Sequence, residues 1–366
     1  MLRFCIPRVR KRGYGLGNEL VPWARAFIAA ELLDARLLPP AFGLNRRGYW
    51  RHFHTLPDDW IYQRVMQKVL PVVEFKENDF VAHGGVDAVS ALTRFIEARG
   101  LKGRSGFAFV TEGLWGGYAH IAPARDFVHS TLYRSRFAAR NLLRLHQRLD
   151  PGRIRVGMHV RLGDFVAPTA LDAYRRTANA SLPIDWYCNV AEQLQRSFAD
   201  DWQLLLVSDG TQEQLQPLLR RYPCVITADI PDGDCSDALA LAGADLIVCS
   251  ASSYSSLAAF LSESPYIWFA DNLHEHAEGC YSIHGTQSNS ASQQQRIAQA
   301  LDYFHSLPEL SRARGIAVGA DGEIPQPVLE WAALRRDQRR WQLDLVRGGV
   351  SPMTVPPGSR LRALGN

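Results

Sequence analysis

The sequence has little of several features that would place it in a narrow class of proteins. No apolar run in the 366 residues reaches the roughly 18 residues that a membrane-spanning helix needs, so an integral membrane protein is not expected. The six cysteines form no CxxC pair and several lie inside apolar runs, which indicates neither a disulfide framework nor a zinc site. The first residues lack the apolar core of a signal peptide, and a cytoplasmic location is predicted.

Excess positive charge is confined to the end of the chain. The net charge is +4, and the seven arginines and two aspartates of residues 331–366 alone contribute +5. The body is therefore close to neutral, and no nucleic-acid partner is expected. We weigh two roles for the basic tail: a last helix that returns to the first domain, or peripheral contact with the anionic inner face of the cytoplasmic membrane.

The order of apolar segments predicts two α/β domains. In the first half, strands are indicated at LRFCIP and GFAFVTEG, with helices over 19–34 and 127–149. In the second half, the near-continuous apolar strands IRVGMHVRL, WQLLLVSD, CVITAD, DLIVCSASS and PYIWFAD alternate with helical segments, which favours a parallel sheet covered on both faces. The predicted division is 1–150 and 151–325, followed by a C-terminal helix and basic tail over 326–366.

One polar cluster follows the strand at IRVGMHVRL. His159 and Arg161 are two residues apart, so they share one face of the strand. The planar guanidinium of Arg161 suits bidentate binding of a phosphate or diphosphate. Asp164 in the next turn would orient Arg161 or bind a sugar hydroxyl; the alternative is a purely structural Arg161–Asp164 ion pair.

Two further clusters lie where a strand passes into a helix. Ser250, Ser252 and Ser253 follow the strand at DLIVCS, and at a helix N-terminus they would form an anion site. The alternative is that these serines only cap the helix. The GLGN turn at 15–18 would let the backbone approach a phosphate or sugar closely, unless it is an ordinary strand-to-helix turn.

Five motifs occur in an order that resembles the GDP-fucose-dependent fucosyltransferases of the α-1,2, α-1,6 and protein O-fucosyl superfamily. GLGNEL at 15–20 is similar to the GLGNQL of bacterial α-1,2 enzymes, and HVRLGD at 159–164 is similar to their HxRRGD. PIDWY at 183–187 and VSD at 207–209 follow. In the last motif, 237–254, the stretch that begins ADLIVCSASS resembles the ADFLVCTFSSQ-type stretch of the α-1,6 enzymes.

The resemblance implies an α/β fold of GT-B type, in which two Rossmann-like domains face a central cleft. It implies that the second domain binds GDP and the first mainly the acceptor, with inverting transfer of fucose from GDP-fucose to a hydroxyl of a glycan, without metal or other cofactor. A bacterial surface polysaccharide or lipid-linked precursor is the expected acceptor. Carried over by position, the donor site comprises Gly15, Gly17, Asn18, His159, Arg161, Asp209, Asp237, Ser252, Ser253 and Tyr254.

The resemblance also implies a role for each of several residues. Arg161 would bind the β-phosphate, and His159 would lie against the nucleotide. Asp237 would accept hydrogen bonds from the guanine N1 and N2 groups, which selects guanine over adenine. Ser253 and the backbone around Tyr254 would hold the diphosphate, and the GLGN turn would close over the donor.

The chain departs from the family's pattern beside the diphosphate. Leu162 stands where relatives carry a second arginine, so one cation is missing at that position. Arg10 or Arg12, in the loop after the first strand, is the candidate substitute.

The general base is a second departure. Residues 165–170 contain no carboxylate, although the α-1,6 enzymes carry their base there. Asp164 is therefore the first candidate for the base and Glu112 the second, with Glu19 and Asp126 also available.

Two other functions stay open: a transferase that uses another nucleotide sugar, and a non-catalytic glycan- or nucleotide-binding relative. Asp232-Gly233-Asp234 imitates the metal-binding DxD motif of another transferase class. We interpret it as a turn and a helix start, and no metal site is predicted.

Overall fold

The computed structural model describes residues 2–8, 14–42, 45–53, 57–83, 87–113, 117–169, 174, 180–270, 276–277, 280–281 and 314–347. Within them the chain forms two α/β units, each built around its own parallel sheet. Arg10 and Arg12 lie outside the described residues, as does the basic tail beyond residue 347. Among the described residues, no helix is both long and apolar enough to cross a membrane.

The first sheet is buried between helices on both of its faces. Its described strands run parallel in the order β2-β1-β4-β3. Alternate residues of a strand point to opposite faces, so Cys5 and Phe109 pack into one apolar cluster and Phe4 and Val110 into another. The strands are β1 (Arg3–Pro7), β2 (Arg36–Leu37), β3 (Val72–Phe75) and β4 (Phe107–Thr111).

Helix α1 provides much of the first core. It begins after Gly15, and its buried face includes Leu20, Ala24 and Leu33. The helices of this unit are α1 (Leu16–Leu33), α2 (Trp50–Phe53), α3 (Pro57–Val69), α4 (Glu77–Ala82), α5 (Ala88–Ala98), a 3-10 helix (Ala119–Ala124), α6 (Arg125–Tyr133) and α7 (Ala138–Arg148).

The second sheet has parallel strands in the order β12-β9-β8-β5-β6-β7 among the described residues. The strands are β5 (Ile154–Val160), β6 (Trp202–Ser208), β7 (Cys224–Ile226), β8 (Leu246–Val248), β9 (Tyr266–Phe269) and β12 (Gly315–Val318), while β10 (His276–Ala277) and β11 (Cys280–Tyr281) form a separate antiparallel pair. The chain runs outwards from β5 to β7 and then restarts at β8 on the other side of β5. Ligands of such sheets bind where the strand order reverses, which here is between β5 and β8.

Helices cover both faces of the second sheet. Trp186 and Leu194 pack with the side chains of Val156 and Met158 on one face, and Leu241 and Ala258 pack against Val207 on the other. The helices are α8 (Ile184–Phe198), α9 (Gln212–Leu219), α10 (Asp234–Ala242), α11 (Ser253–Leu261) and α12 (Gln326–Arg347). The predicted α/β class, with two parallel-sheet units that face a central cleft, is confirmed.

One sequence-based expectation about helices is wrong, and the described part of the last helix shows which unit it packs on. The single helix predicted over 127–149 is two helices, because the chain turns between them to contact α2: the Arg136 N–H donates to the His52 carbonyl at 2.9 Å. The described charged side chains of the last helix contact the second unit. Arg336 of α12 pairs with Asp201, and Arg339 pairs with the buried Asp245 at 2.7 Å, so these charges attach the helix to the second unit.

Candidate functional site

A cleft of about 410 Å³ lies between the two units. It opens at the carboxyl ends of β5 and β6 and at the N-terminal end of α1. The residues predicted for the donor site all line it: Gly15, Gly17, Asn18, His159, Arg161, Asp209, Asp237, Ser252, Ser253 and Tyr254. Asp164 lines it too. Folding therefore brings together residues that are up to 239 positions apart in sequence, and their individual roles stay predictions.

His159 is a buried and neutral part of the cleft wall. It is the next-to-last residue of β5, and its Nδ1 lies 2.7 Å from Ser255 Oγ and 2.9 Å from Ser250 Oγ. Burial, assisted by the charge of Arg161, lowers the pKa of His159 to about 3. The ring is therefore uncharged at neutral pH, and it lies 5.2 Å from the Tyr254 ring.

Arg161 is the cation at the end of β5. Its guanidinium is ion-paired with Asp164 and, at 2.8 Å, with Asp209. The guanidinium carbon also lies 5.2 Å from the centre of the Phe165 ring. Arg161 Nε is buried and has no hydrogen-bond partner among the described residues. The predicted Arg161–Asp164 pair is thus present.

Asp209 fixes the turn that carries Arg161. It follows β6, and its carboxylate accepts a hydrogen bond from the Leu162 N–H at 2.8 Å. A Cβ added at Gly163 would come within 2.5 Å of the same carboxylate, so only glycine lets Asp209 approach this closely. Leu162 packs into the core of the second unit, and its side chain is not part of the cleft lining.

Asp237 is a half-buried acidic residue of the cleft lining. It lies in the first turn of α10, where Thr227 Oγ1 donates to its Oδ2 at 2.8 Å. Its Oδ1 is buried without a hydrogen-bond partner among the described residues. Burial raises the pKa of Asp237 to about 7, although the hydrogen bond from Thr227 opposes the rise. In its ionised form this carboxyl offers only acceptors, and its buried Oδ1 then has no donor among the described residues.

The N-terminus of α11 forms the wall opposite Gly17. Ser252 caps the helix, because its Oγ accepts from the Tyr254 N–H at 3.2 Å. A Cβ added at Gly17 would lie 2.5 Å from the Ser253 carbonyl oxygen. Glycine is therefore required at position 17 for the two units to approach this closely, and the positive end of the α11 dipole lies at the cleft.

Arg47 and Tyr49 are cleft residues of the first unit that sequence reasoning missed. Arg47 lines the cleft, and its guanidinium lies 3.7 Å from Asp164 of the second unit. Tyr49 is 1% exposed, and burial raises the pKa of its phenol well above the ordinary range. Both lie in a segment without clear periodicity, and only the pattern of polar and aromatic residues around position 50 could have indicated them.

The other candidates for the base lie elsewhere. Glu112 follows β4 and is ion-paired with Arg8 at 2.9 Å; it is not among the cleft-lining residues. Glu19 is 1% exposed and accepts from the Tyr14 N–H at 3.1 Å, which gives it a part in shaping the GLGN turn. Asp126, in the first turn of α6, is exposed and does not line the cleft.

The segment Asp232-Gly233-Asp234 is a turn and a helix start, as predicted. Asp232 has a left-handed backbone (φ 54°) and pairs with Arg51, while Asp234 Oδ2 lies 3.3 Å from His52 Nε2. These contacts join α2 of the first unit to α10 of the second. Among the described residues, no three His, Cys, Asp or Glu side chains are grouped so that they would hold a metal ion.

Comparison with known proteins gave matches among solved structures alone: no protein-family profile and no curated protein sequence matches the chain. A crystal structure of the fucosyltransferase NodZ from Bradyrhizobium is 15% identical, with a TM-score of 0.45, over 72% of this chain and 94% of NodZ. The selenomethionine form is 16% identical, with a TM-score of 0.44, over 74% and 95%. NodZ α-1,6-fucosyltransferase soaked with GDP-fucose is 15% identical, with a TM-score of 0.41, over 74% and 95%.

Proposed function

We propose that the chain is an inverting glycosyltransferase that moves fucose from GDP-fucose to a hydroxyl of a glycan, with no metal ion required. In the proposed reaction, the acceptor oxygen forms a bond to C1 of the sugar while the bond from C1 to the β-phosphate oxygen breaks. GDP leaves with the electron pair, and the hydroxyl proton passes to a base. The sugar is assigned from the motif resemblance, and the nucleotide is assigned from the cleft itself.

The unpartnered oxygen of Asp237 is the observation that carries the nucleotide assignment. A carboxylate only accepts hydrogen bonds, and a buried acceptor without a donor costs about 1–3 kcal/mol. Guanine presents two adjacent donors, N1–H and the N2 amino group, on one edge. A guanine base at Asp237 would satisfy Oδ1 and favour the charged form of a carboxyl whose pKa is raised by burial.

Arg161 is the group that would stabilise departing GDP. Negative charge develops on the β-phosphate as the bond to the sugar breaks, and a preorganised donor aimed at it lowers the barrier. Arg161 is held in place by Asp209 and Asp164 and keeps an unpartnered Nε donor. The N-terminus of α11 at Ser253 adds a second source of positive potential.

The nucleotide assignment is tested by calorimetric titration with GDP, UDP and ADP in the absence of divalent metal. We expect preference for GDP in the wild type. Asp237→Asn replaces one acceptor oxygen by a donor, so it should lose GDP and gain xanthosine diphosphate, which carries an oxygen in place of the N2 amino group. Asp229→Asn is the matched control, because Asp229 is exposed, pairs with Arg148 and is not itself a cleft-lining residue.

Preference for UDP or ADP would overturn the guanine assignment. Binding of none of the three would favour a non-catalytic relative. The sugar is tested separately by following GDP release from GDP-fucose and from GDP-mannose, with and without EDTA. Faster release from GDP-mannose would replace fucose in the proposal, and loss of release in EDTA would contradict metal-independent transfer.

A further inference from the structure

The cleft contains a charged side chain that the proposed donor site does not use. Arg47 belongs to the first unit, whereas Arg161, Asp164 and Asp209 belong to the second. Arg47 is 40% exposed at the side chain and reaches across the cleft to Asp164. The two oxygens of Asp164 are divided between two cations: Oδ1 contacts Arg161, and Oδ2 lies 3.7 Å from Arg47.

The turn that carries Arg47 is anchored on both sides. Before it, Asn45 is 5% exposed, and its Oδ1 accepts from the Arg47 N–H at 2.8 Å. After it, Gly48 has a left-handed backbone (φ 72°), and its N–H donates to the Asn45 carbonyl at 3.1 Å. Tyr49 is then buried again. Buried neighbours fix the backbone here, so the Arg47 side chain enters the cleft from a defined position.

The same turn is tied to the GLGN turn of α1. Asn45 Nδ2 donates to Glu19 Oε1 at 3.4 Å, and that oxygen also accepts from the Tyr14 N–H. Glu19 is 1% exposed, so this link lies inside the first unit. The two segments of the first unit that line the cleft are therefore held together, and they would approach a ligand as one body.

We propose that Arg47 is the second cation of the diphosphate site, supplied by the unit opposite Arg161. This inference rests on the proposed function, in which the cleft binds a nucleoside diphosphate sugar. The carboxylate of Asp164 lies between two guanidinium groups. Guanidinium groups bind phosphate oxygens with the same N–H donors that they use for carboxylates, so this position also suits a larger anion. Arg47 takes on the task of the cation that is missing at Leu162, and Asp164 is a positioning residue for both arginines.

Arg47 belongs to the unit opposite Arg161, whereas a cation at position 162 would belong to the same unit as Arg161. The β-phosphate contacts both units at once, so diphosphate binding favours the closed cleft. A nucleoside monophosphate lacks the β-phosphate and gains less from Arg47. The signature of the proposal is therefore the ratio of GDP affinity to GMP affinity, which a purely structural role of Arg47 would not change.

The experiment compares GDP and GMP affinity by calorimetry in the wild type and in three variants of the full chain. Arg47→Ala should weaken GDP binding about tenfold to hundredfold, the usual range for a hydrogen bond to a charged group, and change GMP binding less than about threefold. Arg47→Lys keeps the charge and should restore part of the GDP affinity. Arg46→Ala is the matched control, because Arg46 is exposed in the same turn and does not line the cleft.

Three outcomes separate the possibilities. Unchanged GDP affinity in Arg47→Ala, or equal loss of GDP and GMP, would overturn the role of Arg47 while leaving the proposed function intact. Failure of the wild type to bind GDP would instead overturn the proposed function and, with it, the ligand assigned to Arg47. If Arg47→Ala does not fold, as judged by its thermal unfolding, Arg47→Met keeps the aliphatic stem and gives the same comparison.

Discussion

The carboxyl edges of the two sheets both carry an arginine paired with carboxylates, but they differ in whether buried polar atoms lack a hydrogen-bond partner. At the first edge, Arg8 after β1 lies 2.6 Å from Glu74 and 2.9 Å from Glu112, and no side-chain atom of this trio is buried without a partner. At the second edge, Arg161 is also paired with carboxylates, but its Nε and Asp237 Oδ1 are buried and unpartnered among the described residues. An ion pair therefore does not distinguish the two edges, whereas an unsatisfied buried atom does.

The sharpest test of this comparison is the removal of one arginine from each edge. Arg161→Ala should lower GDP release from GDP-fucose by about 10²–10³, the usual loss when one donor to a developing anion is removed. Arg8→Ala should leave this rate within about threefold. Steady-state kinetics measure both, and equal effects of the two substitutions would contradict the distinction between the edges.

The second test uses the titration of Asp237 in the protein without ligand. Its pKa in the folded chain is raised to about 7, so the folded state binds more protons than the unfolded state between about pH 4 and pH 7. The unfolding free energy of the wild type should therefore fall, relative to Asp237→Asn, by up to about 1.4 kcal/mol per pH unit as the pH rises through this window. Denaturant unfolding at several pH values measures the difference, and a pH-independent difference would contradict the burial of an unpaired carboxyl.

The third test concerns the contact between the two units. Gly17→Ala places a Cβ against the Ser253 carbonyl, which is backbone and has no flexible end to move aside. We expect a loss of about 1–3 kcal/mol of stability, as for overpacking elsewhere, together with weaker GDP binding. Gly15→Ala is the control, since a Cβ there meets no atom within 4 Å. Equal thermal unfolding of the two variants would contradict the close approach.

The smallest effect on stability and activity is expected for a substitution at the carboxyl edge of the first sheet. Glu112→Gln removes one partner of a half-exposed ion pair, and such pairs contribute roughly 0–1 kcal/mol. Because Glu112 does not line the cleft, GDP release should be unchanged within about twofold. A large loss of activity would restore Glu112 as a candidate for the general base.

Much of the second unit could be predicted from the sequence because its signals are local. Continuous apolar strands, each followed by a polar turn, are recognised from consecutive residues. The parallel topology then places the ends of β5 and β8 side by side. His159, Arg161 and Ser253 were found in this way. Strand β3 and helices α3 to α5 of the first unit were not predicted, since their segments are short and mix aromatic and charged residues without a clear period.

The sequence by itself determined the α/β class, the strands that end in polar turns and the residues at those ends, because each depends on a few consecutive side chains. Tertiary structure alone decided which charged groups are paired and which buried polar atoms lack a hydrogen-bond partner among the described residues. Glu112 meets Arg8 across 104 positions, and Arg47 meets Asp164 across 117. The first pairing is set by the strand order of the first sheet and the second by the docking of the two units, and no local pattern encodes either.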